Sequence, residues 1–184
     1  MAAPVYVTGD RNAAMYAVDS ATVIAKGDMV YLDTNDVKPI SILEDTGTKA
    51  QNQASARLVF TGVAQKASPS GVALAIPVAR SGVFEFDCAS ATFEVGDLVG
   101  PIGTGSASAV GVSATSVEAV ATASLAIGRV FKRIASAATR VQVEIFPVAS
   151  TAPIGETVSG TTANFSGAAS VGGALSVTGF ISST

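Results

Sequence analysis

Two stretches of this chain read alike. Gly27-Asp28-Met29-Val30 is answered by Gly96-Asp97-Leu98-Val99, and Thr61-Gly62-Val63-Ala64-Gln65-Lys66 loosely by Ile127-Gly128-Arg129-Val130-Phe131-Lys132. The spacing within each set is nearly the same. Each set opens on Gly-Asp, which suits a tight turn, and runs into apolar residues that a strand can bury. The echo predicts two similar β-halves closing into a small barrel or sandwich.

The rest of the chain up to residue 148 fits an all-β reading. Short apolar runs are separated by turn residues, as at Asp33-Thr34-Asn35-Asp36 and Ser68-Pro69-Ser70-Gly71. Val83-Phe84-Glu85-Phe86-Asp87-Cys88 alternates like a strand, and Thr139-Arg140-Val141-Gln142-Val143-Glu144-Ile145 does so over a longer run. Residues 1–22 read as an arm or first strand, 49–56 as a polar loop, and 57–64 as a strand. Residues 103–124 read as a small-residue loop with a short helical turn near 117–120.

The last 28 residues have a different character. From Thr157 to Thr184 there is no charged residue, and an apolar residue, a small one and a glycine recur at Val158-Ser159-Gly160, Phe165-Ser166-Gly167, Val171-Gly172-Gly173 and Val177-Thr178-Gly179. The segment is too polar for a membrane span and too regular for an ordinary flexible tail. Its few apolar side chains cannot offset the entropy of ordering it in isolation. Copies from neighbouring chains could supply the missing burial. The expected plan is therefore an arm at 1–22, a β-barrel domain at 23–148, a linker at 149–156 and an extended Gly/Ser/Thr-rich β trimerisation tail at 157–184. The expected trimer interface is Val158, Phe165, Val171, Leu175, Val177, Phe180 and Ile181.

Composition argues against several function classes. The chain has no His, which removes the commonest general base and metal ligand, and only one Cys, so no intrachain disulfide can form. No Asp-x-Asp-x-Asp loop is present, and Gly103-Thr104-Gly105 lacks the Lys that a phosphate loop needs. Glu85 and Asp87 share a strand face and are candidates for a carboxylate pair, but their spacing also suits the solvent side of a strand. Cys88, near Phe86 and Ala89, reads as a small buried apolar residue rather than a reactive thiol. Net charge is −3 and basic residues are scattered, with one small cluster at Arg129, Lys132 and Arg133, so no nucleic-acid surface is expected. No signal peptide and no membrane span are read, so synthesis in a reducing cytoplasm is expected. The reading is of a non-enzymatic protein with no cofactor and no metal.

Between residues 23 and 146 the chain resembles the phage capsid cement, or head decoration, proteins. The resemblance rests on Lys26-Gly27-Asp28-Met29-Val30, on Val83-Phe84-Glu85-Phe86 followed by Gly96-Asp97-Leu98-Val99, on Ile127-Gly128-Arg129-Val130, and on Arg140-Val141-Gln142-Val143. It implies a small β-barrel that binds the major capsid protein on the outside of an icosahedral head, commonly as a trimer, and carries no catalytic residues. Residues 157–179 are similar to the glycine-rich repeats of phage fibre and spike proteins, which wind as trimers. The expected function is a structural virion protein on the capsid exterior that holds the head against internal DNA pressure. The alternative is a fibre or receptor-binding module that recognises a host surface.

Overall fold

The two Gly-Asp turns have one geometry in the computed structural model, which describes residues 3–104 and 111–147. Gly27 and Gly96 both take positive φ, +96° and +89°, where a side chain would be strained. The following carboxylate closes each turn. Asp28 Oδ2 accepts from the Ala25 amide at 2.7 Å, and Asp97 Oδ2 from the Glu94 amide at 2.8 Å. The glycine amides donate to Ala64 O at 2.8 Å and Val130 O at 2.9 Å, which joins each turn to the strand expected from the echo.

In chain order the described elements are β1 (Val5–Thr8), β2 (Ala13–Val18), β3 (Met29–Asp33), β4 (Asp36–Pro39), α1 (Lys49–Val59), β5 (Phe60–Ala64), β6 (Leu74–Ala79), β7 (Val83–Phe93), β8 (Leu98–Gly103), β9 (Val112–Ala119), β10 (Gly128–Val130) and β11 (Ile134–Ile145). β2 to β6 form a closed barrel in the order β2-β4-β3-β5-β6. β7 to β11 pair in the same order, β7-β9-β8-β10-β11, and the β7–β11 ladder closes the ring. The registers repeat as well. Val30 faces Gly62 as Val99 faces Gly128. Val63 faces Ala79 as Arg129 faces Glu144. Even the parallel closing pair recurs, Ala17 with Asp36 and Asp87 with Ser116.

The fold is thus all-β in its scaffold, with small barrels as expected. Each repeat closes a barrel of its own, where the sequence reading put two halves into one barrel or sandwich. The reason is the parallel pair in each repeat: β2 with β4, and β7 with β9, return the sheet to its first strand within Ala13–Ala79 and Val83–Ile145, so neither repeat needs the other's strands.

Two other expectations are corrected. The polar stretch 49–56 is not a loop but most of α1, which also takes in Arg57, Leu58 and Val59. The small-residue stretch 103–124 contains β9, whose Val112, Ala114, Ser116 and Val117 are buried. Residues 1–22, read as an arm or first strand, supply β1 and β2. β2 runs antiparallel along the whole of β6, so the first barrel begins well before residue 23. The linker at 149–156 and the tail at 157–184 lie outside the described residues.

The barrel interiors follow the repeat. Val30, Val37, Ile76 and Val78 fill the first, and their counterparts Val99, Val117, Val141 and Val143 the second, which also encloses Phe84 and Phe86. The barrels pack without symmetry. Met29, Val63 and Ala79 project outward from the first barrel and are fully buried in the core that includes the second barrel's side chains. Their counterparts on the second barrel, Leu98, Arg129 and Glu144, are half-buried or exposed.

One difference between the turns has a measurable consequence. Asp28 is buried, and burial pushes its carboxyl above the usual carboxylate range, against the pull of the Ala25 amide. Asp97 is exposed. A raised folded-state pKa means that the folded chain holds this proton more tightly than the unfolded one. Its contribution to stability is present below the ordinary carboxylate value and is lost as pH rises through the raised one. Asp28→Asn keeps an acceptor for the Ala25 amide and removes the buried charge. It is expected to raise the melting temperature at pH 7 and to leave it unchanged below pH ~3.5, where both forms are neutral. Asp97→Asn should change little at either pH. Thermal scans of the three proteins at both pH values check this.

Candidate interaction surface

Because the barrels share a register, their outer faces can be compared position by position. On the β7/β11 face, Glu85 lies opposite Gln142 and Asp87 opposite Arg140. The Arg140 guanidinium reaches both acids, with Nη1 2.7 Å from Glu85 Oε1 and Nε 3.2 Å from Asp87 Oδ1. The carboxylates singled out in the sequence therefore do share a strand face, and an arginine joins them. A guanidinium that bridges two carboxylates across the strands suits a structural tie better than proton transfer.

The equivalent face on the first barrel carries no charge. There Met15 lies opposite Pro77 and Ala17 opposite Ala75. Ala13, Ala17 and Ala75 are exposed, and Met15 is 64% exposed. The β-strand alternation places these side chains on the outside while Tyr16, Ile76 and Val78 turn inward. The result is a smooth apolar surface of small side chains around one long, flexible methionine, which can adapt to an irregular partner surface. The sequence reading did not pick out this face. Its signal was present in the alternation of Ala13, Met15 and Ala17, but alanines carry little weight in a hydrophobic pattern.

Cys88 is half-buried, and its Sγ lies 3.6 Å from the Ala138 carbonyl oxygen. Burial, and then the neighbouring Asp87, push its thiol up, away from the thiolate form that reacts. Gly103 ends β8 with α1 packed against it, since a Cβ there would sit 2.9 Å from Lys49 Cγ. The basic cluster is divided among roles. Arg133 pairs with Glu94 at 2.7 Å, and the Arg129 guanidinium lies 5.8 Å from the Phe146 ring centre. Among the described residues no group of three or more His, Cys, Asp or Glu could hold a metal ion, and no helix is long and apolar enough to cross a membrane. The expected trimer interface, Val158, Phe165, Val171, Leu175, Val177, Phe180 and Ile181, lies outside the described residues.

No family model and no curated protein matches the chain. Among solved structures it is similar to the N base of head fiber gp8.5 in bacteriophage phi29, at 12% identity and a TM-score of 0.42, over 72% of this chain and 93% of that one. A likeness at this level assigns no function.

Proposed function

We propose that this chain is a structural virion protein of a bacteriophage, which binds the outer surface of an icosahedral head as a trimer and stabilises the capsid against the pressure of packaged DNA. The observation that carries the reading is the charge-free outer face at Met15, Ala17, Ala75 and Pro77. The chain keeps ion pairs on the matching face of its second barrel and has none here. An exposed apolar surface flanked by polar residues suits contact with another protein. The phage assignment is supported by the sequence resemblance, whose motifs fall on the Gly-Asp turns and on β3, β7, β8, β10 and β11.

The mechanism is mechanical. A protein that buries surface on several major capsid subunits at once couples their outward motion, so separating any one of them breaks contacts to the others. Trimerisation through Val158, Phe165, Val171, Leu175, Val177, Phe180 and Ile181 belongs to this proposal, as does a location on the capsid exterior.

Particles made without the protein are expected to assemble but to release DNA at a lower temperature than decorated ones. Heating both and scoring DNA release tests the function, and electron microscopy of the particles tests the location. Equal release temperatures, or a few copies at the tail instead of many on the head, would favour the host-recognition reading.

A further inference from the structure

A cavity of about 410 Å³ opens where the start of β1 meets both barrels, and its walls include Pro4, Tyr6, Arg11, Lys26, Gln65 and Phe84. Two cations line it, Arg11 and Lys26, and the fold holds the first in place. The Arg11 guanidinium lies over the Tyr6 ring, 4.6 Å from its centre, and its Nη1 donates to Gln65 Oε1 at 3.4 Å. Its carbonyl oxygen accepts from the Arg80 and Ser81 amides at 2.9 and 3.2 Å. The Tyr6 ring is itself fixed, edge-on to Phe84 with centres 5.6 Å apart and its hydroxyl donating to Gly9 O. Lys26 precedes the Gly27 turn, which packs so closely on Pro4 that a Cβ there would come within 2.8 Å of Pro4 O.

Neither cation has an ion-pair partner among the described residues, and no carboxylate lines the cavity, although the chain carries a net charge of −3. An arginine fork over an aromatic ring, with a lysine lining the same cavity, suits a carboxylate. One wall of the cavity is β1, the end strand of its sheet, which pairs only with β7 among the described residues. Its Val5 and Val7 are 53% and 38% exposed. An open strand edge with exposed valines accepts an extended polypeptide in a way that a small free anion cannot use.

We propose that this cavity is a docking site for an acidic, extended segment of a partner protein, which adds to the open edge of β1 and places a carboxylate on Arg11 and Lys26. The proposal rests on the reading of the chain as a protein that attaches to a shell, the partner being a shell subunit.

Isothermal titration of the full chain with acetyl-Val-Glu-Val-Glu-Val amide tests it. Saturable binding is expected, about tenfold tighter than for the same peptide with Gln in place of Glu. The double variant Arg11→Gln, Lys26→Gln should lose about tenfold, while Lys132→Gln, at an exposed lysine on the second barrel, should bind as the parent does. No saturable binding, equal binding of the Glu and Gln peptides, or an unaffected double variant would overturn the proposal. So would glutarate or inorganic phosphate binding as tightly as the peptide, since the site would then take an anion alone. Attachment of the double variant to stripped particles is scored separately. Unchanged attachment removes this site as a shell contact and leaves the proposed function standing. Failure of the parent chain to attach removes that function, whatever the peptide titration shows.

Discussion

Gly62→Ala is expected to be among the most destabilising single substitutions in the described barrels, with Gly128→Ala close behind. A Cβ at Gly62 would stand 2.1 Å from the Ala79 carbonyl oxygen, and one at Gly128 would stand 2.5 Å from both the Glu144 carbonyl oxygen and Val143 Cγ1. The obstructing oxygens are backbone atoms of the neighbouring strand, so no side-chain rotation relieves the contact. The ladder itself must open. Forcing atoms into a packed site costs about 1–3 kcal/mol, and a backbone obstruction belongs at the upper end. That corresponds to a fall in melting temperature of roughly 6–12 °C for a chain of this size. Gly71→Ala is a fitting control, because it also has positive φ, +84°, but nothing stands within 4 Å of its Cβ position. It should show the backbone strain alone. If Gly62→Ala melts no lower than Gly71→Ala, the close approach of β5 and β6 is not as tight as described.

Asn52→Leu should have a comparable effect by a different route. Asn52 is 2% exposed and its side chain makes four hydrogen bonds. Its Oδ1 accepts from the Thr46 amide at 2.7 Å and the Thr46 hydroxyl at 2.8 Å, and its Nδ2 donates to Asp45 Oδ1 at 2.9 Å and Thr104 O at 2.8 Å. Those bonds tie the loop before α1 and the end of β8 to the helix. Leucine has the same branching at Cγ, with bulkier methyl groups, and can serve none of them. Leaving buried donors and acceptors unserved costs about 1–3 kcal/mol each, and some will reach water, so a total near 3 kcal/mol is expected. Leu58→Ala, at a helix residue that is 71% exposed, should stay within about 0.5 kcal/mol of the parent. Chemical denaturation reads both. Hydrogen exchange should also speed up in α1 of the Asn52 variant before it does so in β5 or β11. A uniform loss of protection would mean that the helix is not held by this residue.

These two sites also show what could and could not be read from the sequence. The strands around Gly62 and Gly128 were legible because Val63 and Val143 alternate with small or polar neighbours and Val99 follows a recognisable Gly-Asp turn. The helix was not, because two of the three residues it buries are polar, Asn52 and Gln53, and the third, Ala56, is small. Gln53 Nε2 donates to Pro101 O at 2.9 Å and Glu118 Oε1 at 2.7 Å, and Lys49 pairs with Glu118 at 2.6 Å. A helix attached by hydrogen bonds shows no apolar stripe to a reader looking for one. Its one local signal was Thr48, whose hydroxyl caps the helix by accepting from the Gln51 amide, with Gln51 in the place a capping box requires. β9 was hidden by the smallness of Ala114 and Ser116. The apolar face on the first barrel and the cation cavity were hidden for a deeper reason. One needs Met15 set against Pro77, and the other needs Arg11 and Lys26 brought to Tyr6 and Phe84, and no local spacing encodes either.

The repeat also changes how such a chain can meet a lattice. A ring of three single-barrel subunits offers three equal contact points. A ring of three of these chains would offer six barrels of one topology in two alternating kinds, one with an apolar outer wall and one with an ion-paired wall. In the proposed trimer the two kinds of barrel would be free to diverge in what they touch while keeping the same frame.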